Sequence, residues 1–355
     1  MNVYNVKATV ITPVSIGNGN QLSPYKDYFI KDGLIHYIYT EKLGIHLVKN
    51  KELMDEYVEG VANMDGNRSK FDLLQFIEDK LDLRSSEITR NTLYFYGDPS
   101  SKLPINAFIK SPNHQPYIPG SSLKGAIKTA LVYTDLEKTP KGENWRKQFF
   151  EQLSQINFRD KRDMWKLDAL TQDLEKLLKE KAEIQNKGVT ERMIITDSKL
   201  LQRDALEVVD LKRTQIPERQ EVLRKQSRFD FTLSFPDETW ISFGEKMNRF
   251  AFNNLSAAGK ENEDLFHQVE NAFNNNHSTI FIALGFGKGI YLNSILLSLK
   301  DYAYNHGKER LFENYLRYLS PKTRKIHIDT FPNTEFKTWQ NQSSLGWIKL
   351  ENTHF

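Results

Sequence analysis

The sequence contains no cysteine among its 355 residues. Disulfide frameworks, cysteine–zinc sites and thiol nucleophiles are therefore excluded, and the absence fits a reducing compartment. No apolar run reaches the roughly 18 residues that a membrane-spanning helix needs. The stretch 1–14 also lacks the basic-then-apolar layout of a signal peptide. These absences predict a cytoplasmic protein without a membrane partner.

Neither sign of charge dominates the sequence. Lysine and arginine number 49 and aspartate and glutamate 46, which gives a net charge of +3. This balance neither demands nor forbids a polyanionic partner, so the distribution of charge along the chain matters more. Apolar residues make up 39%, enough to bury a sizeable core.

The order of apolar patterns predicts an α+β fold. Residues 4–10 alternate as a strand does, and Asp32-Gly33 separates two apolar runs as a hairpin turn does. Apolar residues at helical spacing follow Pro119. Strand and helix patterns mix without a regular βαβ rhythm, and 346–350 is expected to form a last edge strand. At about 150 residues per domain, we expect two domains, 1–220 and 221–355, with a helical insertion around 140–190.

The segment Pro119-Gly120-Ser121-Ser122 opens the predicted helix. Backbone N–H groups at a helix start, together with the helix dipole, form an anion site. Lys124 and Lys128 are four residues apart on the polar face of this helix, which suits a phosphate backbone. The alternative is a plain capped helix whose serine bonds only to its own backbone.

A glycine-rich loop occupies 285–289, with Gly285, Gly287 and Gly289 around Lys288. Glycine permits a positive φ and lets a ligand approach the main chain. The loop is not a P-loop, because Lys288 is followed by glycine rather than serine or threonine, and its glycine spacing does not fit a dinucleotide fingerprint. No cofactor is predicted, and a tight connection is the alternative.

An earlier glycine-bearing loop, Gly17-Asn18-Gly19, follows the first predicted strand. Such a loop is usually a simple turn. The loop is of interest because it is one of three glycine-bearing segments in the chain.

Basic residues cluster in 213–228 and 317–327, the first diluted by Glu218 and Glu221. Tyrosines 315 and 318 and Phe331 accompany the second cluster. Interleaved basic and aromatic residues suit single-stranded nucleic acid, although a solvated face is the alternative.

Catalytic signals are sparse. The eight histidines are scattered and form no metal-binding motif, so no metal is predicted. His36 on the hairpin and Asp197 after an apolar run could serve as a general base in RNA cleavage. An ordinary strand histidine and a turn aspartate are the alternatives.

Three segments in this order, 16–19, 116–129 and 285–289, resemble the RAMP proteins of CRISPR systems. With the chain length and the closing segment 345–348, they are similar to the fifth subunits of type III-A (Csm) effector complexes. The resemblance implies two ferredoxin-like (RRM-like) modules with helical insertions.

The resemblance also implies a non-catalytic subunit that binds CRISPR RNA (crRNA). Such a subunit caps the Csm backbone at the crRNA 3′ end and takes part in crRNA maturation and antiviral defence. Its implied partners are crRNA, the other Csm subunits and a recruited maturation nuclease; an endoribonuclease that itself processes crRNA stays the alternative. Family members often carry arginine where this chain has Lys128, and lysine lacks the bidentate fork. The implied RNA-binding residues are Gly17, Gly19, Gly120, Ser121, Ser122, Lys124, Lys128, Gly285, Gly287, Lys288 and Gly289.

Overall fold

The computed structural model describes residues 2–62, 71–179, 192–212, 217–235, 238–257, 262–275, 277–285, 294–319, 338–339 and 345–353. The strands in these ranges form two sheets. The strands are β1 (Asn2–Val10), β2 (Gly17–Leu22), β3 (Tyr28–Lys31), β4 (Leu34–Ile38), β5 (Thr89–Tyr96), β6 (Ile105–Phe108), β7 (Ile194–Ile195), β8 (Leu206–Lys212), β9 (Pro217–Leu223), β10 (Arg228–Phe235), β11 (Thr279–Ala283), β12 (Thr338–Trp339) and β13 (Trp347–Asn352).

The first sheet is antiparallel, with the order β11-β13-β1-β10-β7. The predicted strand at 4–10 is confirmed as β1, whose inward residues Val6, Ala8 and Val10 are buried. The expectation of an edge strand at 346–350 is wrong, because β13 lies between β11 and β1. Backbone hydrogen bonds join it to both neighbours, and its side chains Trp347 and Ile348 are buried in the core.

The second sheet has the order β2-β6-β9-β8-β5-β4-β3, and β12 pairs with β8. It is mixed, because β5 and β8, and likewise β6 and β9, run parallel. The predicted hairpin is confirmed as β3 and β4. Its turn residues Asp32 and Gly33 both have positive φ, 52° and 72°, as a two-residue primed turn requires.

Helices fill the segments between the strands. The short helix α3 continues into a π-helical turn, and α5 confirms the predicted helix after Pro119. The helices are α1 (Thr40–Leu47), α2 (Lys51–Ala62), α3 (Leu73–Gln75), α4 (Ser85–Ile88), α5 (Gly120–Lys138), α6 (Pro140–Ser154), α7 (Met164–Lys179), α8 (Trp240–Ala257), α9 (Glu263–Asn274), α10 (Leu296–Asn305) and α11 (Glu309–Leu319). None of these helices in the described part of the chain is long and apolar enough to cross a membrane.

One continuous core joins the two sheets. Buried side chains of β1, such as Val6, belong to the same apolar cluster as Val208 of β8 and Ile127 of α5. The α+β class is therefore confirmed. The division into 1–220 and 221–355 stays a prediction; Gln220 and Glu221 are neighbours within β9, and the first sheet takes strands from both sides of that point.

Candidate nucleic-acid interface

The early glycine loop forms β2, which is an edge strand of the second sheet and pairs with β6. Gly17 and Gly19 are exposed, and the pairing with β6 shifts register between Gly17 and Gln21. Gly19 has a φ of +86°, and a side chain there would meet only open space. The main chain of β2 is therefore accessible to a ligand from outside.

The late glycine loop begins next to the early one. Gly285 lies two residues after the end of β11 and has a φ of +82°. A Cβ at this position would overlap the carbonyl oxygen of Ser15, two residues before Gly17. The fold thus brings the starts of both loops together, while Gly287, Lys288 and Gly289 lie outside the described residues.

The segment between β1 and β2 is fixed by the start of β13. The Gly346 N–H donates to the Pro13 carbonyl at 2.8 Å, and its own carbonyl accepts from the Leu284 N–H at 2.7 Å. The Trp347 N–H donates to Thr12 Oγ1 at 2.9 Å. The glycine loops therefore start from a rigid junction of three strands.

The start of α5 is tied by hydrogen bonds to the residues on either side of β7. The Gly120 N–H donates to Asp197 Oδ1 at 2.8 Å, and Lys124 Nζ donates to the Met193 carbonyl at 2.7 Å. A Cβ at residue 120 would overlap the Ile195 carbonyl oxygen. Glycine at this position allows close packing, and the anion at this helix start is the chain's own carboxylate.

The remaining residues of this motif differ in their exposure. Ser121 is exposed, whereas Ser122 and Lys128 are half-buried. The Ser122 N–H donates to the Pro119 carbonyl at 3.0 Å, which continues the first helical turn. RNA contacts by Gly120, Ser121, Ser122, Lys124 and Lys128 stay predictions.

The two candidate bases lie in separate parts of the fold, His36 within β4 and Asp197 two residues after β7, and both have structural partners. The His36 ring stacks on Phe29 with centroids 4.9 Å apart, and its Nδ1 lies 3.4 Å from Thr89 Oγ1. Burial lowers the pKa of His36 below its usual 6.5. Asp197 accepts the hydrogen bond from Gly120 described above. Their geometry gives each side chain a packing or capping role.

The lowered pKa of His36 predicts a stability difference at acidic pH. In the unfolded chain this histidine takes up a proton as the pH falls through 6.5. In the folded chain it stays neutral down to a lower pH. Wild-type protein therefore loses stability across this window, and His36→Phe loses less. Thermal melts between pH 7.5 and pH 5 test this, and equal losses in both proteins would contradict it.

A buried ion pair that sequence reasoning missed joins β8 and β9 of the second sheet. Arg219 of β9 is fully buried, and its Nε lies 2.6 Å from Asp210 Oδ1. The same guanidinium donates to the Tyr28 hydroxyl at 3.0 Å and packs over the Phe95 ring at 4.5 Å. Burial raises the pKa of Tyr28 to about 12. The expectation that Arg219 belongs to a nucleic-acid-binding basic cluster is wrong, because this side chain reaches no solvent.

The same strand, β9, carries Glu221, a buried carboxylate that pairs with a half-buried lysine after β6. Both carboxylate oxygens of Glu221 accept from Lys110 Nζ, at 2.7 and 2.6 Å. The Tyr37 hydroxyl and the Phe108 N–H also donate to Glu221, each at 2.7 Å. This carboxylate therefore holds β4, β6 and the strand that carries it in one register.

In the part of the chain that the structure describes, no group of three or more histidine, aspartate and glutamate residues is arranged to hold a metal ion. The model of the RAMP superfamily matches residues 7–349. The chain belongs to the RAMP superfamily.

Two curated proteins are similar to part of this chain. A curated "CRISPR system Cms protein Csm5" from Methanocaldococcus jannaschii is 36% identical over 135 residues, 38% of this chain. A protein of the same name from Streptococcus thermophilus is 28% identical over 148 residues, 40% of this chain. The alignments span 31% and 40% of these two relatives, so only part of their length is matched.

Solved structures share the fold of this chain along nearly its whole length. The crystal structure of T. onnurineus Csm5 superposes with a TM-score of 0.61 and 21% identity over 96% of this chain and 99% of that one. A chain of the cryo-EM structure of a Csm–crRNA–target RNA ternary complex, from a type III-A CRISPR–Cas system, gives 0.66 and 22% over 99% and 100%. At these identities the likeness establishes the fold.

Proposed function

We propose that this RAMP protein is a non-catalytic, crRNA-binding subunit of a type III-A Csm effector complex, in the position of Csm5. The observation that carries the proposal is the end-to-end fold similarity to a chain of a Csm–crRNA–target RNA complex. The partial sequence matches to two proteins named Csm5 support the same assignment.

The glycine loops supply the chemistry of RNA binding in this proposal. Main-chain N–H groups and lysines contact phosphate and sugar without reading base edges. A guide RNA needs this kind of contact, because its sequence varies while base pairing reads the target. The exposed backbone at Gly17 and Gly19, beside Gly285, supports such a contact.

The finer parts of the proposal concern architecture and position. In the first sheet, β13-β1-β10-β7 is antiparallel, with α5 between β1 and β7 and α8 between β10 and β13. This β-α-β-β-α-β succession is typical of a ferredoxin-like module, and we assign a second module to the second sheet. We further propose that the subunit caps the complex at the crRNA 3′ end and takes part in crRNA maturation by a recruited nuclease.

Co-expression with the other Csm subunits and a CRISPR array tests the proposal. We expect the chain to copurify with them and with crRNA, and Lys288→Ala or the pair Lys124→Ala with Lys128→Ala to reduce crRNA retention. Lys49→Ala with Lys51→Ala is the matched control, because both lysines are exposed, Lys49 just before α2 and Lys51 as its first residue. Complexes with the same crRNA content and 3′ ends, whether or not this chain is present, would refute the assignment.

Incubation of purified protein with crRNA precursor, with and without divalent metal, tests the non-catalytic part. We expect intact RNA. Cleavage that is lost in His36→Ala or Asp197→Ala would replace this part of the proposal by an endoribonuclease.

A further inference from the structure

A concavity of about 740 Å³ opens between two chain segments, 199–205 and 224–230. The segments are joined near both ends, where the Lys199 N–H donates to the Asp230 carbonyl at 3.1 Å and the Arg224 N–H donates to the Ala205 carbonyl at 3.0 Å. Main-chain bonds therefore fix the walls of this basic concavity, and its shape does not depend on long side chains.

The lining of the basic concavity is strongly positive. Lys199, Arg224, Lys225 and Arg228 line it, with Asp230 as the acidic residue of the lining. Lys199 lies 3.4 Å from Asp230 and Arg224 lies 3.8 Å from Asp204, two exposed pairs of small energetic value. Lys225 and Arg228 are exposed, and neither forms an ion pair with any residue that the structure describes. Two cations are thus available to a ligand.

The turn that carries these cations is held against β1. Gln226 has a φ of +69°, and its N–H donates to the Val10 carbonyl at 2.8 Å. The Val10 N–H in turn donates to the Ser227 carbonyl at 2.9 Å. Lys225 therefore stands on a fixed turn rather than on a mobile loop.

Positive charge continues beyond the rim. Arg203 belongs to the first wall segment, and its guanidinium donates to the Asn113 carbonyl at 2.8 Å, next to His114. Burial and the charges of Arg90, Arg203 and Lys110 lower the pKa of His114. Segments that are far apart in the sequence thus assemble one positive surface.

The residue that precedes each wall segment of the concavity is hydrogen-bonded to a segment of the candidate interface. Leu223, which precedes Arg224, exchanges backbone hydrogen bonds of 2.7 and 3.1 Å with Val14, before the early glycine loop. Ser198, which precedes Lys199, exchanges two 2.9 Å hydrogen bonds with Ile118, before the start of α5. The concavity therefore lies on chain segments that continue directly from those of the candidate interface, which an extended RNA strand could follow.

We propose that the basic concavity is a second RNA site, which holds the phosphate backbone of single-stranded RNA that extends from the glycine loops. The inference rests on the proposed function and adds a site and residues to it. Guanidinium groups suit phosphate because they bond to two oxygens at once. The aromatic lining residue Phe229 is buried, so its ring cannot stack on a base. The site therefore contacts only the RNA backbone and tolerates any base sequence.

The test is the salt dependence of binding of an unstructured single-stranded RNA of about 30 nucleotides to the purified protein. A plot of the logarithm of the binding constant against the logarithm of the salt concentration has a negative slope. For single strands, each neutralised phosphate makes this slope steeper by about 0.7. Loss of two contacts in Lys225→Ala with Arg228→Ala should therefore make the slope shallower by about 1.4. Lys49→Ala with Lys51→Ala removes the same charge elsewhere and should leave the slope near the wild-type value.

The remaining outcomes separate this inference from the proposed function. An unchanged slope in Lys225→Ala with Arg228→Ala, while Lys288→Ala still weakens binding, would overturn the second site and leave the proposed function intact. No binding by wild-type protein would remove the proposed function itself. An unchanged slope combined with failure of the double variant to join the Csm subunits would make the concavity a protein interface and overturn the RNA site.

Discussion

Arg219→Met is expected to destabilise the folded chain by about 3–5 kcal/mol, the usual cost of removing one partner of a buried ion pair. The substitution leaves the Asp210 carboxylate, 12% exposed, without its bidentate partner at 2.6 and 3.0 Å. It also removes the donor to the Tyr28 hydroxyl and to the Asp98 carbonyl. Urea denaturation should show a lower midpoint with an unchanged slope.

Two further variants make this expectation specific. Arg159→Met removes an exposed arginine and should change stability by less than about 0.5 kcal/mol. Arg219→Met combined with Asp210→Leu removes both charges and should regain part of the loss, since buried ion pairs can be replaced by apolar groups. If Arg219→Met behaves like Arg159→Met, Arg219 does not stabilise the fold as the geometry indicates.

The buried pairs show where the sequence could not predict the fold. The strand β9 reads Pro-Glu-Arg-Gln-Glu-Val-Leu, which has the composition of a solvated linker, and a domain boundary was expected there. In the structure Arg219 and Glu221 are fully buried. Their partners Asp210 and Lys110 lie on other segments, so no local pattern in β9 marks it as an interior strand.

Local signals, in contrast, predicted local structure well. The alternation in β1 and the positive-φ turn at Asp32 and Gly33 depend on neighbouring residues alone, and both are confirmed. The apolar stripe of α5 is confirmed for the same reason. These elements carry their own conformational preferences, whereas β9 depends on partners supplied by the fold.

The candidate site lies between these cases. The sequence singled out the glycine segments, but only the fold shows what each glycine does. Gly120 allows close packing against Ile195, and its N–H is held by Asp197, a partner 77 positions away along the chain. Gly285 lies against Ser15, while Gly19 faces open space. A motif can therefore combine glycines needed for packing with glycines free to admit a ligand.

A matched pair of substitutions separates these two roles. Gly19 and Gly285 have nearly equal φ values, +86° and +82°, so an alanine at either position meets a similar backbone strain of about 1–2 kcal/mol. Only at residue 285 would the new Cβ overlap a neighbouring carbonyl, that of Ser15. We therefore expect Gly285→Ala to lose about twice as much stability as Gly19→Ala in denaturant unfolding.

RNA binding should follow a different order in the same two variants. In the proposed function, RNA contacts the exposed main chain at Gly19. Gly19→Ala should therefore weaken RNA binding at a temperature where this variant and the wild type are both folded. Its loss of affinity should exceed what its small loss of stability can explain, because the new methyl group stands where RNA approaches the main chain. Equal unfolding losses in the two variants would contradict the packing role of Gly285. Unchanged RNA affinity in Gly19→Ala would instead mean that the space around Gly19 is ordinary solvent.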